Sequence, residues 1–295
     1  MVLAVLVCLS AVAPPAGAQD ADSVLVGWKK SLIFDLTATQ ASYSDSWDGG
    51  EVGTFSWQTN LVGSAERQFA PKFNYLTNLK LSFGQTHSQQ DNGDWLRPKK
   101  TTDLIDWENV GSFTLNGYVD PYVAFRLESR FYDGRVPAKK LWLSPLKLTE
   151  SAGITRHFYK TDDDFVTSRF GAAIRQTFTS NIADTVLLST VDSTFMDGGF
   201  ESVSDVSLGL NDKIRWTSKL TLFKAIYFDK SDQTDGTPTE GDWKAIDVDW
   251  ENILAVQVSK VIAVSFYTQL LYDKQIIDKG RLKQTLALGL SYKMF

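Results

Sequence analysis

A chain of 295 residues with 30 basic and 35 acidic side chains carries a formal net charge of −5. That slight acidic excess, with no basic block, excludes an electrostatic nucleic-acid interface. The single cysteine, Cys8, excludes a disulfide framework and a cysteine-based metal centre, and the sequence implies no cofactor because no Gly-rich phosphate loop or zinc-protease spacing occurs.

The segment from Met1 to Ala18 joins an apolar stretch, Val2 to Val7, to Pro14, Pro15 and the small run Ala16-Gly17-Ala18. This predicts a signal peptide over 1–18, export through the periplasm, and a single domain over 19–295. Beyond it no run approaches the roughly 18 consecutive apolar residues that a spanning helix needs. A membrane span must therefore be built from strands.

Period-two alternation then dominates, since side chains on a strand point to opposite faces in turn. Phe55, Trp57, Leu61 and Ala65 alternate with Ser56, Gln58, Asn60 and Glu66, and Phe125, Leu127 and Phe131 with Arg126, Glu128 and Arg130. Later, Ile246, Val248, Trp250, Leu254 and Val256 alternate with Asp247, Asp249, Glu251 and Gln257. The pattern predicts strands at 31–41, 54–68, 72–86, 103–115, 119–132, 146–159, 167–179, 199–210, 213–228, 243–258, 261–273 and 281–294. Short links such as Ala70-Pro71, Asn116-Gly117, Asp162 to Asp164, Asn211-Asp212 and Ser259-Lys260 alternate with long polar loops at 42–53, 87–102, 133–145, 180–198 and 229–242. Short turns at one rim and long loops at the other point to an all-β fold, a closed antiparallel transmembrane β-barrel of about 12 strands in a bacterial outer membrane. Lipid and the barrel-assembly machinery are then its expected partners.

Aromatic residues near strand ends suit the two lipid–water interfaces. Trp57, Trp107, Tyr132, Trp250 and Tyr272 fall toward the long-loop rim, and Phe73, Tyr75, Tyr118, Phe158 and Tyr292 toward the other. The polar faces direct Asp106, Glu108, Glu128, Asp247, Asp249 and Glu251 into the lumen with Arg126, Arg130, Arg169, Arg175, Arg215 and Lys219. Such charges either select solutes in an open pore or pair and fill the interior.

The segment Ile105-Asp-Trp-Glu-Asn-Val110 returns as Val248-Asp-Trp-Glu-Asn-Ile253, and Leu146, Lys147, Thr149 and Gly153 return as Leu282, Lys283, Thr285 and Gly289. Phe34 and Gln40 match Phe170 and Gln176, and Asp48-Gly-Gly50 matches Asp197-Gly-Gly199. We read these echoes as a six-plus-six duplication with halves at 31–160 and 167–295. It would set Trp107 and Trp250 toward lipid on opposite walls, with Asp106 and Glu108 facing Asp249 and Glu251.

The opening Ser31-Leu-Ile-Phe-Asp-Leu-Thr-Ala-Thr-Gln-Ala-Ser-Tyr-Ser-Asp-Ser-Trp-Asp-Gly-Gly50 resembles the start of an outer-membrane family known as domain of unknown function 3078. Ile246-Asp-Val-Asp-Trp-Glu-Asn252, Tyr267-Thr-Gln-Leu-Leu-Tyr-Asp-Lys274 and Leu288-Gly-Leu-Ser-Tyr-Lys-Met-Phe295 resemble its closing part. The resemblance implies a β-barrel and an outer-membrane address, and carries neither catalytic residues nor a ligand. The terminal aromatic Phe295 is similar to a barrel assembly signal, one position out of the outward register of Leu288, Leu290, Tyr292 and Met294.

Function is expected to be a passive or gated pore for small polar solutes. The alternative is a closed structural or receptor-like barrel acting through its long outer loops. A third reading, a surface hydrolase, would use His87 as a base near Ser88, Asp91 and Asp94. His157 is read as a turn residue, and Asp162-Asp-Asp164 as a solvated turn without calcium-loop spacing.

Overall fold

Alternating segments become fourteen strands in a computed structural model that describes residues 27–43, 51–115, 117–134, 136, 138–161, 163–184 and 187–293. The expected signal peptide, Asp48-Gly-Gly50, Asn116, Asp162 and Phe295 lie outside the described residues. The strands are β1 (Lys29–Ala41), β2 (Thr54–Ala70), β3 (Phe73–Ser88), β4 (Lys99–Phe113), β5 (Asp120–Ser129), β6 (Tyr132–Asp133) and β7 (Leu141–Trp142). They continue with β8 (Leu146–Lys160), β9 (Phe165–Asp184), β10 (Ser189–Asn211), β11 (Ile214–Phe228), β12 (Ile246–Gln257), β13 (Ile262–Asp273) and β14 (Ile277–Lys293).

Twelve of them close an antiparallel barrel in the order β1-β14-β13-β12-β11-β10-β9-β8-β5-β4-β3-β2, and β6 and β7 form a two-residue ribbon in an outer connection. The expected fold class is therefore the observed one. Closure pairs backbone donors and acceptors between neighbours, as a hydrocarbon surround requires. The seam is its thinnest part: β1 and β14 pair only from Ile33↔Lys293 to Leu36↔Leu290.

Turns such as Pro71-Lys72 and Asp212-Lys213 mark one rim, where the Asn211 carboxamide accepts from the Lys213 and Ile214 amides. The opposite rim carries the long connections. One expectation fails there: the loop at 180–198 is a tall hairpin, with β9 paired to β10 from Ser207↔Phe165 up to Ser189↔Asp184. β-Branched Thr177, Thr179, Thr190, Val191 and Thr194 favour extended backbone and sustain strands beyond the barrel wall, where polar composition suggests a loop.

Outward faces are apolar. Leu282, Leu286, Leu288, Leu290 and Tyr292 on β14, Ile262 and Phe266 on β13, and Phe170 and Ile174 on β9 are all exposed. So broad an apolar exterior suits lipid rather than water. At the short-turn rim Trp28, Phe69, Phe73, Tyr75 and Phe113 pack ring to ring, with the Arg67 guanidinium 5.1 Å from the Phe69 ring. Tyr132, expected in the opposite girdle, instead sits in the β6–β7 ribbon against Trp142, beneath Lys100 and Lys140. Trp107 falls near the middle of β4, because that strand begins at Lys99 rather than at 103.

Candidate functional site

Residues directly opposite in an antiparallel ladder share a face, so register fixes what enters the lumen. Lys80 on β3 stands opposite Asp106 on β4, Glu108 opposite Arg126 on β5, and Lys219 on β11 opposite Asp205 on β10 and Glu251 on β12. The polar faces of these strands all point inward.

Some pairs run along the wall. Arg126 forks onto Asp106, with Nε–Oδ1 at 2.9 Å and Nη2–Oδ2 at 3.0 Å, and reaches Glu128 at 3.2 Å. Lys147 on β8 extends the chain to Glu128 at 3.4 Å. Arg175 forks onto Asp197 at 2.7 and 2.5 Å, donates to Asp247 at 2.7 Å, and lies 3.6 Å from the centre of the Phe223 ring.

Others cross the lumen. Glu108 on β4 accepts from Arg169 on β9 at 2.6 Å and from Lys219 on β11 at 2.9 Å. Glu251 on β12 accepts from Lys80 on β3 at 2.9 Å and from the Tyr267 hydroxyl at 3.0 Å. Asp249 makes a wall contact instead, accepting from the Gln269 amide on neighbouring β13 at 2.9 Å. Around the twelve-strand circuit β3 and β12 are five places apart, as are β4 and β11. These two lysine–glutamate pairs are therefore near-diametric bridges. Charge-assisted bonds of this kind are short and strong, yet each also confines two ions that water would otherwise solvate.

Among the expected lumen residues, Asp106, Glu108, Arg126, Glu128, Arg169, Arg175, Lys219, Asp247, Asp249 and Glu251 come together. Arg215 does not join them; at the short-turn rim it holds Asp164 at 3.1 Å, the Asp163 carbonyl at 3.0 Å and Ser207 at 2.9 Å. Arg130 has the inward parity but lies past Ser129, the last residue of β5. Asp164 also accepts from the Gly209 amide at 2.9 Å, so it pins a turn. Lys80, Lys147, Asp197, Asp205 and Tyr267 were missed, although period-two parity alone assigns Lys80 and Asp205 to the inward face.

The echoed segments occupy β4 and β12, six places apart and so on opposite walls. Trp107 and Trp250 face outward, and each indole N–H donates to a hydroxyl on the preceding barrel strand, Thr77 at 3.0 Å and Ser218 at 3.1 Å. Thr77 and Ser218 hold the same register, opposite Asn109 and Asn252. Gly153 and Gly289 are equivalent too: a Cβ on either would run into the neighbouring backbone, at Phe170 and at Leu36. Trp57, Tyr272 and Tyr292 also lie on the outward face by register.

The histidines stay apart. The His87 ring packs on Phe55, 6.4 Å between centroids, on the outward face of β3. His157 is not in a turn but on β8, with Nδ1 2.8 Å from the Thr167 hydroxyl. Among the outer connections, Lys274 binds Asp242 at 2.9 Å, and that carboxylate holds the Lys274 ammonium above the usual lysine range.

Residues 38–134 match the model of a family described as protein of unknown function (DUF3078), in line with the resemblance read from the sequence. No curated protein matches the chain. Among solved structures it is similar to an outer membrane channel from Pseudomonas putida F1, with 13% identity, a TM-score of 0.43, and 96% of this chain and 99% of that one covered. It is also similar to the translocator domain of the autotransporter NalP from Neisseria meningitidis, with 9% identity, a TM-score of 0.35, and 92% and 90% covered. The beta domain of the Bordetella autotransporter BrkA gives 10% identity, a TM-score of 0.32, and 90% and 97% covered.

Proposed function

We propose that this barrel resides in a bacterial outer membrane and acts as a gated pore for small polar solutes, closed in its resting state by side chains. The observation that carries the reading is that its lumen is bridged by lysine and arginine side chains on carboxylates, Lys80–Glu251 and Lys219–Glu108 above all. An apolar filling of similar volume would hold a permanently closed barrel at least as well, whereas ion pairs can part and take up water. Planar-bilayer recordings of the refolded protein test this. Brief openings are expected, and a folded barrel that never conducts would overturn the pore.

A second reading is a closed barrel whose outer connections bind a partner. It is favoured by the ties among those connections: Lys274 to Asp242 at 2.9 Å and the Lys139 ammonium to the Leu188 carbonyl at 2.6 Å. Deleting 87–102 or 229–242 should then abolish binding and leave the barrel folded. We infer further that the echoed segments record duplication of six strands, supported by the matched surroundings of Trp107 and Trp250.

A further inference from the structure

The Lys80–Glu251 bridge divides the lumen unequally. On one side of it stand β2, β1, β14 and β13; on the other stand β11, β10, β9, β8, β5 and β4. Among the described residues, every buried side chain of the barrel strands belongs to the second group, including Asp106, Glu108, Tyr122, Arg169, Val203 and Phe223. The first group has none. Two inward-facing valines make the contrast direct, since Val62 on β2 is 39% exposed and Val203 on β10 only 3%. Val62 is inward because its ladder partner is Lys80.

Pairing explains the difference. The β4-β5-β8-β9-β10-β11 wall fills its side with ion pairs, Arg126 on Asp106 and Arg169 on Glu108, and with Arg175 packed on the Phe223 ring, while the β13-β14-β1-β2 wall mixes small inward groups, Ser265, Ala287 and Gly289, with longer ones, Tyr267 and Lys283. The seam supplies a separate reason for water. Beyond Leu36↔Leu290, β1 residues 37–41 and β14 residues 277–289 have no ladder partners in one another. Their backbone N–H and C=O groups on that edge need another source of hydrogen bonds, and lipid offers none.

We propose that a water-filled lane runs off-centre through the barrel, between the Lys80–Glu251 bridge and the β13-β14-β1-β2 wall. This rests on the pore reading and specifies where solute passes. Asp35, Lys283, Lys80, Glu251 and the Tyr267 hydroxyl face the lane, opposite charges in balance, so it takes small polar solutes with little preference for either sign. Its width is set by the bridge. Release of Glu251 would let Lys80 turn to Asp106, its ladder partner on β4, and join the lane to the remainder of the lumen.

Thiol labelling tests the lane without relying on current. In the full chain with Cys8→Ser, Val62→Cys and Ser265→Cys would line it. Val203→Cys and Ala173→Cys would sit in the packed half, and Leu286→Cys would face lipid. The probe is a permanently charged, water-soluble methanethiosulfonate applied to protein in vesicles, with folding of each variant checked by heat-shifted gel mobility. Labelling at Val62→Cys and Ser265→Cys at least about tenfold faster than at the other three is expected, because access controls thiol reaction. Equal rates at the lane and packed positions, or silence at both lane positions, would overturn it. Selective labelling in a barrel that never conducts would overturn the pore reading while leaving the lane in place; conduction with uniform labelling would do the reverse.

Discussion

Lys80 Nζ on β3 lies 2.9 Å from Glu251 Oε2 on β12, five strands away around the barrel. Glu108 on β4 returns the contact through Lys219 on β11 at 2.9 Å. Each glutamate belongs to an Asp-Trp-Glu-Asn segment, and each lysine sits on the strand beside the other segment. The two bridges thus cross in opposite senses, and four strands supply both.

Glu108 holds two cations, Arg169 and Lys219, with only 9% of its side chain exposed, whereas Lys80 beside Glu251 is 29% exposed. Removing one member of a buried pair leaves the other charge uncompensated. Glu108→Gln should therefore cost about 3–5 kcal/mol, and Glu251→Gln clearly less because water reaches Lys80. Urea midpoints in detergent or bilayer would rank the two; equal losses would contradict the difference in hydration.

Gly153 and Gly289 each press on the adjacent strand where a Cβ would meet backbone atoms. Gly153→Ala and Gly289→Ala should each destabilise by about 1–3 kcal/mol through overpacking, while Gly236→Ala, with open space but a φ of +71°, should change only a loop. Thermal unfolding followed by gel mobility separates these outcomes.

Both echoed indoles point outward from the barrel while bonding a hydroxyl. Thr77→Val and Ser218→Ala should each cost about 1 kcal/mol without changing the depth of the ring. Quenching of Trp107 and Trp250 emission by brominated lipid, in variants lacking the other tryptophans, should persist in both.

The Lys274 ammonium is held above its ordinary range by Asp242. A raised value means that the tie is fully present below the ordinary lysine pKa and is lost as pH rises through the folded-state value. Lys274→Gln at neutral pH should mimic that loss, with faster proteolytic nicking within 229–245 and an intact barrel.

Much of this architecture was legible because alternation reports faces directly. The parity that sent Ile246, Val248 and Trp250 outward also sent Asp247, Asp249 and Glu251 inward, and the echo of Asp-Trp-Glu-Asn predicted opposite walls for β4 and β12. Partner choice was not legible. Which charge meets Glu251 depends on strand order and stagger around a closed circuit, so Lys80, remote in sequence, could not be paired with it. Arg130 and Arg215 carried the right parity, but their positions at strand ends put them at the rims. The β9–β10 hairpin resembles a loop in sequence because Ser, Thr and Asp in 180–198 suit a turn as well as a polar strand.

Single-channel recording of the refolded protein beside Glu251→Gln tests the central claim most directly. The wild-type barrel should show small, brief openings, and the variant a larger current shifted toward anions, since Lys80 is freed and one lane carboxylate is lost. Silence from both proteins, each shown to be folded, would contradict a pore closed by ion pairs.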